Sequence, residues 1–267
     1  MRQILLHPGF HKTGTSSANH FLWVNRAALA PYFDLRMFRH FKAISTLCAT
    51  FSKSQDPMDF LEFVELMDAS FKENPLNSDR DALISCKGFC GHLPGTPGVH
   101  SYESVPILMT YLAGYLADRY PDAQVKVVFT TRGPKDWLFS VYRQQLRGHR
   151  LMLDFEEFAH TYKAAADLRS IIDRTAAVLA PLPVMFMPLE DAAKHPLGPG
   201  GAIVDLMKVP ASVKATLSPV GVDNAGPTEN IWAKFLAHNR STAPDHQVAK
   251  LKQAIATEIS LGGWKKI

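Results

Sequence analysis

The residues His7-Pro8-Gly9-Phe10-His11-Lys12-Thr13-Gly14-Thr15-Ser16-Ser17 place two glycines, one lysine and four hydroxyls within one loop and one helical turn. Glycine lets a backbone turn tightly and approach a ligand closely. The first turn of a following helix leaves its N–H groups without intrahelical partners, aimed at a spot where the helix dipole also favours an anion. Lys12 adds a full positive charge, and Thr13, Thr15, Ser16 and Ser17 add hydroxyl donors. The chemistry expected of this loop is the holding of a phosphate or sulfate.

Local elements must position it. Met1 to Leu6 reads as a short buried strand, and Thr15 to about Ala30 as a helix whose Ala18, Phe21, Leu22 and Leu29 face a sheet, ended by Pro31. Strand, glycine loop and helix resemble a nucleotide-hydrolase P-loop, but that pattern carries its lysine after the second glycine, with a magnesium-binding hydroxyl beside it. Here Lys12 precedes Gly14. The order Gly9-x-x-Lys12-Thr13-Gly14-Thr15-Ser16 instead resembles the 5′-phosphosulfate loop of sulfotransferases that use 3′-phosphoadenosine 5′-phosphosulfate (PAPS). The wider string is similar to the bacterial branch of that family.

A second motif follows the clearest strand, Val125 to Thr131, whose continuous apolar and β-branched character predicts a central parallel strand. Arg132-Gly133-Pro134 leaves its end, and Pro134 suits the first turn of a helix. Arg132 is thereby aimed across the ligand crevice, with Ser140 about two turns along the helix. Arginine, then Pro134, then a serine eight residues after the arginine resembles the 3′-phosphate motif of the same family. A guanidinium suits that task because two parallel hydrogen bonds supply both charge and orientation.

The resemblance implies sulfuryl transfer from PAPS to an acceptor hydroxyl or amine, with no metal. It implies a donor site of Gly9, His11, Lys12, Thr13, Gly14, Thr15 and Ser16 around the 5′-phosphate, and of Arg132 and Ser140 around the 3′-phosphate. Lys12 would stabilise charge on the leaving oxygen. The family places its general base at the end of the second strand, which here is Ala82 to Cys86, followed by Lys87. Lys87 serves as a base only with a depressed pKa. His92, five residues on, already has a suitable one. His92 is the favoured base, with Lys87 clamping the sulfuryl group. The family's bacterial members imply a glycan or lipid-linked sugar as acceptor, while a small alcohol or phenol also fits the chemistry.

The 267 residues, 46% hydrophobic and 20% charged, predict one domain spanning 1–267: a three-layer α/β/α fold with a mostly parallel sheet, P-loop NTPase-like. Tyr32 to Thr50 is basic and aromatic and reads as a connector or acceptor rim. Phe60, Val64, Met67 and Phe71 form a core stripe on a helix from about Pro57 to Lys72, and a further helix is expected from Ser104 to Arg119. Asp154 starts a long helix to about Leu179, with Glu156 and Glu157 as helix-start residues. Pro183 to Met187 is a fourth strand. A short helix opens at Gly198 to Gly201, and Asp223 to Thr228 is a turn. Two last helices carry Ile231, Trp232, Phe235 and Leu236, then Val248, Leu251, Ile255 and Ile259. The Gly262 to Lys266 tail is a frayed end.

The net charge of +4 is too small and scattered to point to nucleic acid. With no apolar leader, no span of about 18 apolar residues and three sparse cysteines, the expectation is a soluble cytoplasmic protein. Cys86, Cys90 and His92 lack a fourth ligand for zinc. Two other functions stay open. One is a P-loop kinase or hydrolase, which needs magnesium-dependent ATP turnover. The other is a catalytically degenerate member of the sulfotransferase fold that binds a nucleotide or sulfated glycan without transfer.

Overall fold

A computed structural model describes residues 1–221 and 229–261. The chain runs through β1 (Arg2–His7), α1 (Thr15–Val24), α2 (Arg26–Leu29), β2 (Phe33–Met37), α3 (Lys42–Ser54), α4 (Pro57–Glu73), β3 (Asp81–Ser85) and α5 (Val105–Arg119). It continues with β4 (Ala123–Thr131), α6 (Pro134–Gly148), α7 (Phe155–Thr161), α8 (Leu168–Leu179), β5 (Val184–Pro188), α9 (Leu189–Ala192) and α10 (Gly198–Val204). Then come α11 (Ala211–Lys214), α12 (Glu229–Arg240) and α13 (Asp245–Leu261).

The five strands form an all-parallel sheet in the order β2-β3-β1-β4-β5. β1 is central, with Leu6 in register with Ile84 on one side and Val127 on the other. Successive strand residues point to opposite faces, and this divides the core. Ile4, Leu6, Ile84 and Val127 pack under α4, α5 and α8, whereas Leu5, Leu83 and Val128 pack under α1 and α10. The fold is therefore α/β with helices on both faces. From β1 the chain proceeds toward the β2 edge, and from β4 toward β5, so the connections diverge between the C-terminal ends of β1 and β4. In open parallel sheets that divergence opens a crevice, and ligands bind there.

Three sequence expectations change. Tyr32 to Thr50 is no mere connector: it contains β2, a 3-10 turn and the start of α3. β2 escaped notice because Phe-Asp-Leu-Arg-Met alternates apolar with charged residues, as an edge strand does, instead of running apolar like β4. The helix after the loop breaks at Asn25, whose side-chain amide donates to the carbonyls of Phe21 and Ser218, while Asn25 Oδ1 accepts from Ser218 N–H. A contact 193 residues away in sequence sets that break. The long helix expected from Asp154 is instead α7, a 3-10 turn at Ala164–Ala166, and α8.

Other expectations hold. Asp154 caps α7, accepting from Glu157 N–H at 3.0 Å while the Glu157 carboxylate accepts from Asp154 N–H at 2.8 Å. On α4, Phe63, Met67 and Phe71 are buried, with Phe60 and Val64 packed against them. Val248 is buried on α13, but Leu251 is exposed. Asp223 to Thr228 and Gly262 to Lys266 lie outside the described residues. No helix among the described residues is long and apolar enough to cross a membrane.

Candidate active site

The glycine loop rises from the C-terminal end of β1. Phe10 anchors its apex in the core: fully buried, it stacks on Phe129 at 5.0 Å and meets Tyr102 at 4.8 Å. Burying such a ring stabilises by about 1.5–3 kcal/mol. That outweighs the cost two residues later, where Lys12 sits at φ 67, a left-handed conformation costing a side-chain-bearing residue about 1–2 kcal/mol. Two glycines are required outright. A Cβ on Gly9 would lie 2.5 Å from Thr15 Oγ1 and 3.1 Å from His7 Nε2, and one on Gly14 would lie 2.5 Å from Leu189 Cδ1. Both also have positive φ. Gly14 is the N-cap of α1 and no side chain caps that helix. The first-turn N–H groups of α1 thus have neither intrahelical nor side-chain partners.

The hydroxyls of the loop divide into two sets. Thr13 and Thr15 are buried and turned inward: both donate to the Phe10 carbonyl, at 2.7 and 3.2 Å, and both contact Thr130 Oγ1 at the end of β4. Their side chains brace the loop against β4, with the hydroxyls turned inward to Phe10 and Thr130. Ser16 is half-buried, and Lys87 Nζ donates to its Oγ at 3.1 Å. Lys87 therefore stands at the start of α1.

Beneath the loop, Ser85 Oγ donates to Asn19 Oδ1 at 2.6 Å and accepts from His7 Nδ1–H at 2.8 Å. His7 Nε2 is left a buried acceptor with no hydrogen-bond partner. Burial lowers the His7 pKa to about 4, so the ring is neutral at ordinary pH. His7 is the last residue of β1, and it ties β1, β3 and α1 together under the loop.

Positive charge gathers above the loop. Burial and then the charges of Lys87, Arg132 and Arg147 lower the pKa of Lys12 to about 8. Burial also lowers that of Lys87. Arg132 Nη1 contacts the Lys12 carbonyl at 3.5 Å, so the second motif does reach the first. Ser140 is half-buried on α6. Gly133 N–H is held by Glu190 Oε1 at 2.8 Å, which fixes the turn that presents Arg132.

His11 is held from three directions. Its N–H donates to Tyr102 Oη at 3.3 Å, its Nδ1 lies 3.1 Å from the same oxygen, and its carbonyl accepts from Trp137 Nε1 at 2.9 Å. Burial, followed by the charges of Lys87, His92 and Lys12, brings its pKa down to about 3. His92 is half-buried, its N–H bonded to Ser52 Oγ, and burial with the charges of Lys53 and His149 lowers its pKa.

Sequence reasoning missed Thr130, Tyr102, Trp137 and Arg147. Trp137 lay inside the second motif without a role, and Thr130 in the Thr-Thr-Arg run that ends β4. Tyr102 and Arg147 carried no local signal. The cysteines are free and buried, and no group of three or more metal-ligating side chains occurs among the described residues.

No protein-family model matches this chain, and no curated protein matches it. Among solved structures it is similar to a sulfotransferase from Alicyclobacillus acidocaldarius, at 18% identity over 90% of this chain and 93% of that one, with a TM-score of 0.40. What this chain does is read from its own loop, lysines and arginine.

Proposed function

We propose that the protein is a sulfotransferase that uses PAPS and sulfates a hydroxyl or amine. One observation carries this reading: the uncapped start of α1 stands beside Lys12, Lys87 and Arg132, and the charges that bear on the half-buried Lys12 are the positive ones of Lys87, Arg132 and Arg147. Such crowding is unfavourable until a multiply charged anion occupies the crevice. A donor with phosphates at both ends fits, one on the loop and one at Arg132.

PAPS supplies the sulfuryl group and leaves as 3′,5′-bisphosphoadenosine. The backbone N–H groups of Gly14, Thr15 and Ser16 hold the 5′-phosphate, with Gly9 opening the turn. Lys12 meets the negative charge that develops on the phosphate oxygen as its bond to sulfur breaks. Lys87, beside Ser16, clamps the sulfuryl oxygens. Arg132 and Ser140 hold the 3′-phosphate. His11, locked by Tyr102 and Trp137, lines the site as a neutral ring. His92, also neutral near pH 7, accepts the proton from the acceptor as its oxygen or nitrogen attacks sulfur.

Calorimetry with 3′,5′-bisphosphoadenosine, AMP and magnesium-ATP tests the donor. The expected result is preference for the bisphosphate, reduced about 10- to 100-fold in Arg132→Ala, since a charged hydrogen bond contributes about 1.5–3 kcal/mol. Tighter binding of magnesium-ATP would make this a nucleotide kinase or hydrolase instead. Bisphosphate binding without transfer from PAPS to a panel of sugars, phenols and amines would leave a binding protein.

A further inference from the structure

A second concentration of positive charge lies away from the glycine loop. A cleft of about 630 Å³ runs between the end of α1, α2, the edge strand β2 and the segment before β3. Arg26, Arg36, Arg39 and Arg80 line it around Trp23. Among the described residues lining it, Asp34 is the single carboxylate. Thr15 and Trp23 are eight residues apart on α1, or about 12 Å. The cleft opens beside the far end of the helix whose start carries the loop.

The guanidinium groups are held in place. Arg26 and Arg39 both stack on the Trp23 indole, at 3.9 and 4.2 Å from its centroid. Stacking uses the flat face of a guanidinium and leaves the N–H groups around its edge for an anion. Arg26 is also tied to the Trp23 carbonyl, and Arg80 to that of Ala30. Arg36 forms a fork with Asp34, two bonds of 3.0 Å, and donates to the Pro75 carbonyl. Asp34 is thus already occupied by Arg36 and by Asn77 N–H. It does not neutralise the other three arginines. Burial, then Arg39 and Arg36, lowers the pKa of His40 next to the cleft, a further sign of crowded positive charge.

We propose that this cleft is a second anion site that takes the sulfate or phosphate monoester of a sugar chain. Preorganised guanidinium edges match the oxygens of a tetrahedral ester. The volume lies in the range of small-ligand pockets. With arginines over the indole, the cleft offers guanidinium N–H groups to an ester, and a sugar carrying that ester needs no aromatic face. The site stands independently of sulfuryl transfer.

The test uses the full-length protein and calorimetry with a heparin-derived tetrasaccharide, galactose 6-phosphate, inorganic sulfate and oligoglutamate, each with and without saturating bisphosphate. The sulfated tetrasaccharide is expected to bind equally well in both conditions, and at least 10-fold more weakly to Arg26→Gln/Arg39→Gln. Bisphosphate affinity should not change in that variant. The phosphate arm identifies which ester is preferred. If the double variant melts early, Arg39→Glu alone should give the same loss. Displacement of the tetrasaccharide by bisphosphate would overturn the proposal, as would wild-type binding by the variants or equally tight binding of oligoglutamate. Because the two ligands are titrated separately, failure here and failure of the donor site remain distinct.

Discussion

The two ends of α1 gather positive charge by opposite means. At its start, backbone N–H groups, Lys12 and Lys87 converge in a half-buried crevice, and the framework beneath is fully packed. At its far end, arginines lie along an open cleft, stacked on an exposed indole and tied to carbonyls. Burial makes lysine charge adjustable, since desolvation and like neighbours both lower its pKa. Arginine stays protonated at every accessible pH. The lysine part of the charge at the loop is therefore conditional, whereas the charge of the cleft is permanent.

Three experiments sharpen or break this contrast. The largest effect is expected from Lys12→Ala, which should lower the transfer rate from PAPS about 10²- to 10³-fold, the usual loss on removing a group that meets developing charge. Tetrasaccharide binding to the arginine cleft should be untouched. A parallel loss of both would show that the two ends form one site.

Next comes Gly9→Ala, expected to destabilise the fold by about 1–3 kcal/mol in urea unfolding, because the added methyl meets Thr15 and His7 at positive φ. Arg39→Gln, in the open cleft, should cost under about 0.5 kcal/mol. Equal costs would contradict the packed-against-open distinction.

The smallest effect concerns pH. Between about pH 7 and 8, Lys12 is largely charged in both free and bound protein and the ligand's phosphates, with second pKa values near 6, are ionised, so bisphosphate affinity should be nearly flat there. Above about pH 8 the free lysine loses its proton and binding must restore it, so affinity should fall by up to about tenfold per pH unit. Calorimetry in buffers of different ionisation enthalpy would reveal the proton uptake. Binding at the arginine cleft should not change between pH 7 and 9.5.

The legible parts of this chain were local ones. Two glycines and a lysine at fixed spacing, or a run of β-branched residues in β4, announce their geometry within a dozen residues. The α7 capping box is of this kind. What escaped depends on distant partners. Thr13 and Thr15 face inward because Thr130 awaits them from β4. The first helix breaks at Asn25 because Ser218 binds its side chain. β2 went unread because an edge strand needs only one apolar face. That Arg132 lies beside the glycine loop follows from its own motif, but Glu190, which holds its turn, comes from α9, beyond β5.

The left-handed backbone at Lys12 carries one more consequence. A glycine there would adopt φ 67 without strain, and the half-buried charge that its neighbours disfavour would be gone. Lys12→Gly should therefore yield a protein that is sturdier and inert. Selection for thermal endurance alone would drift toward that residue, and only a demand for turnover would hold the lysine in place.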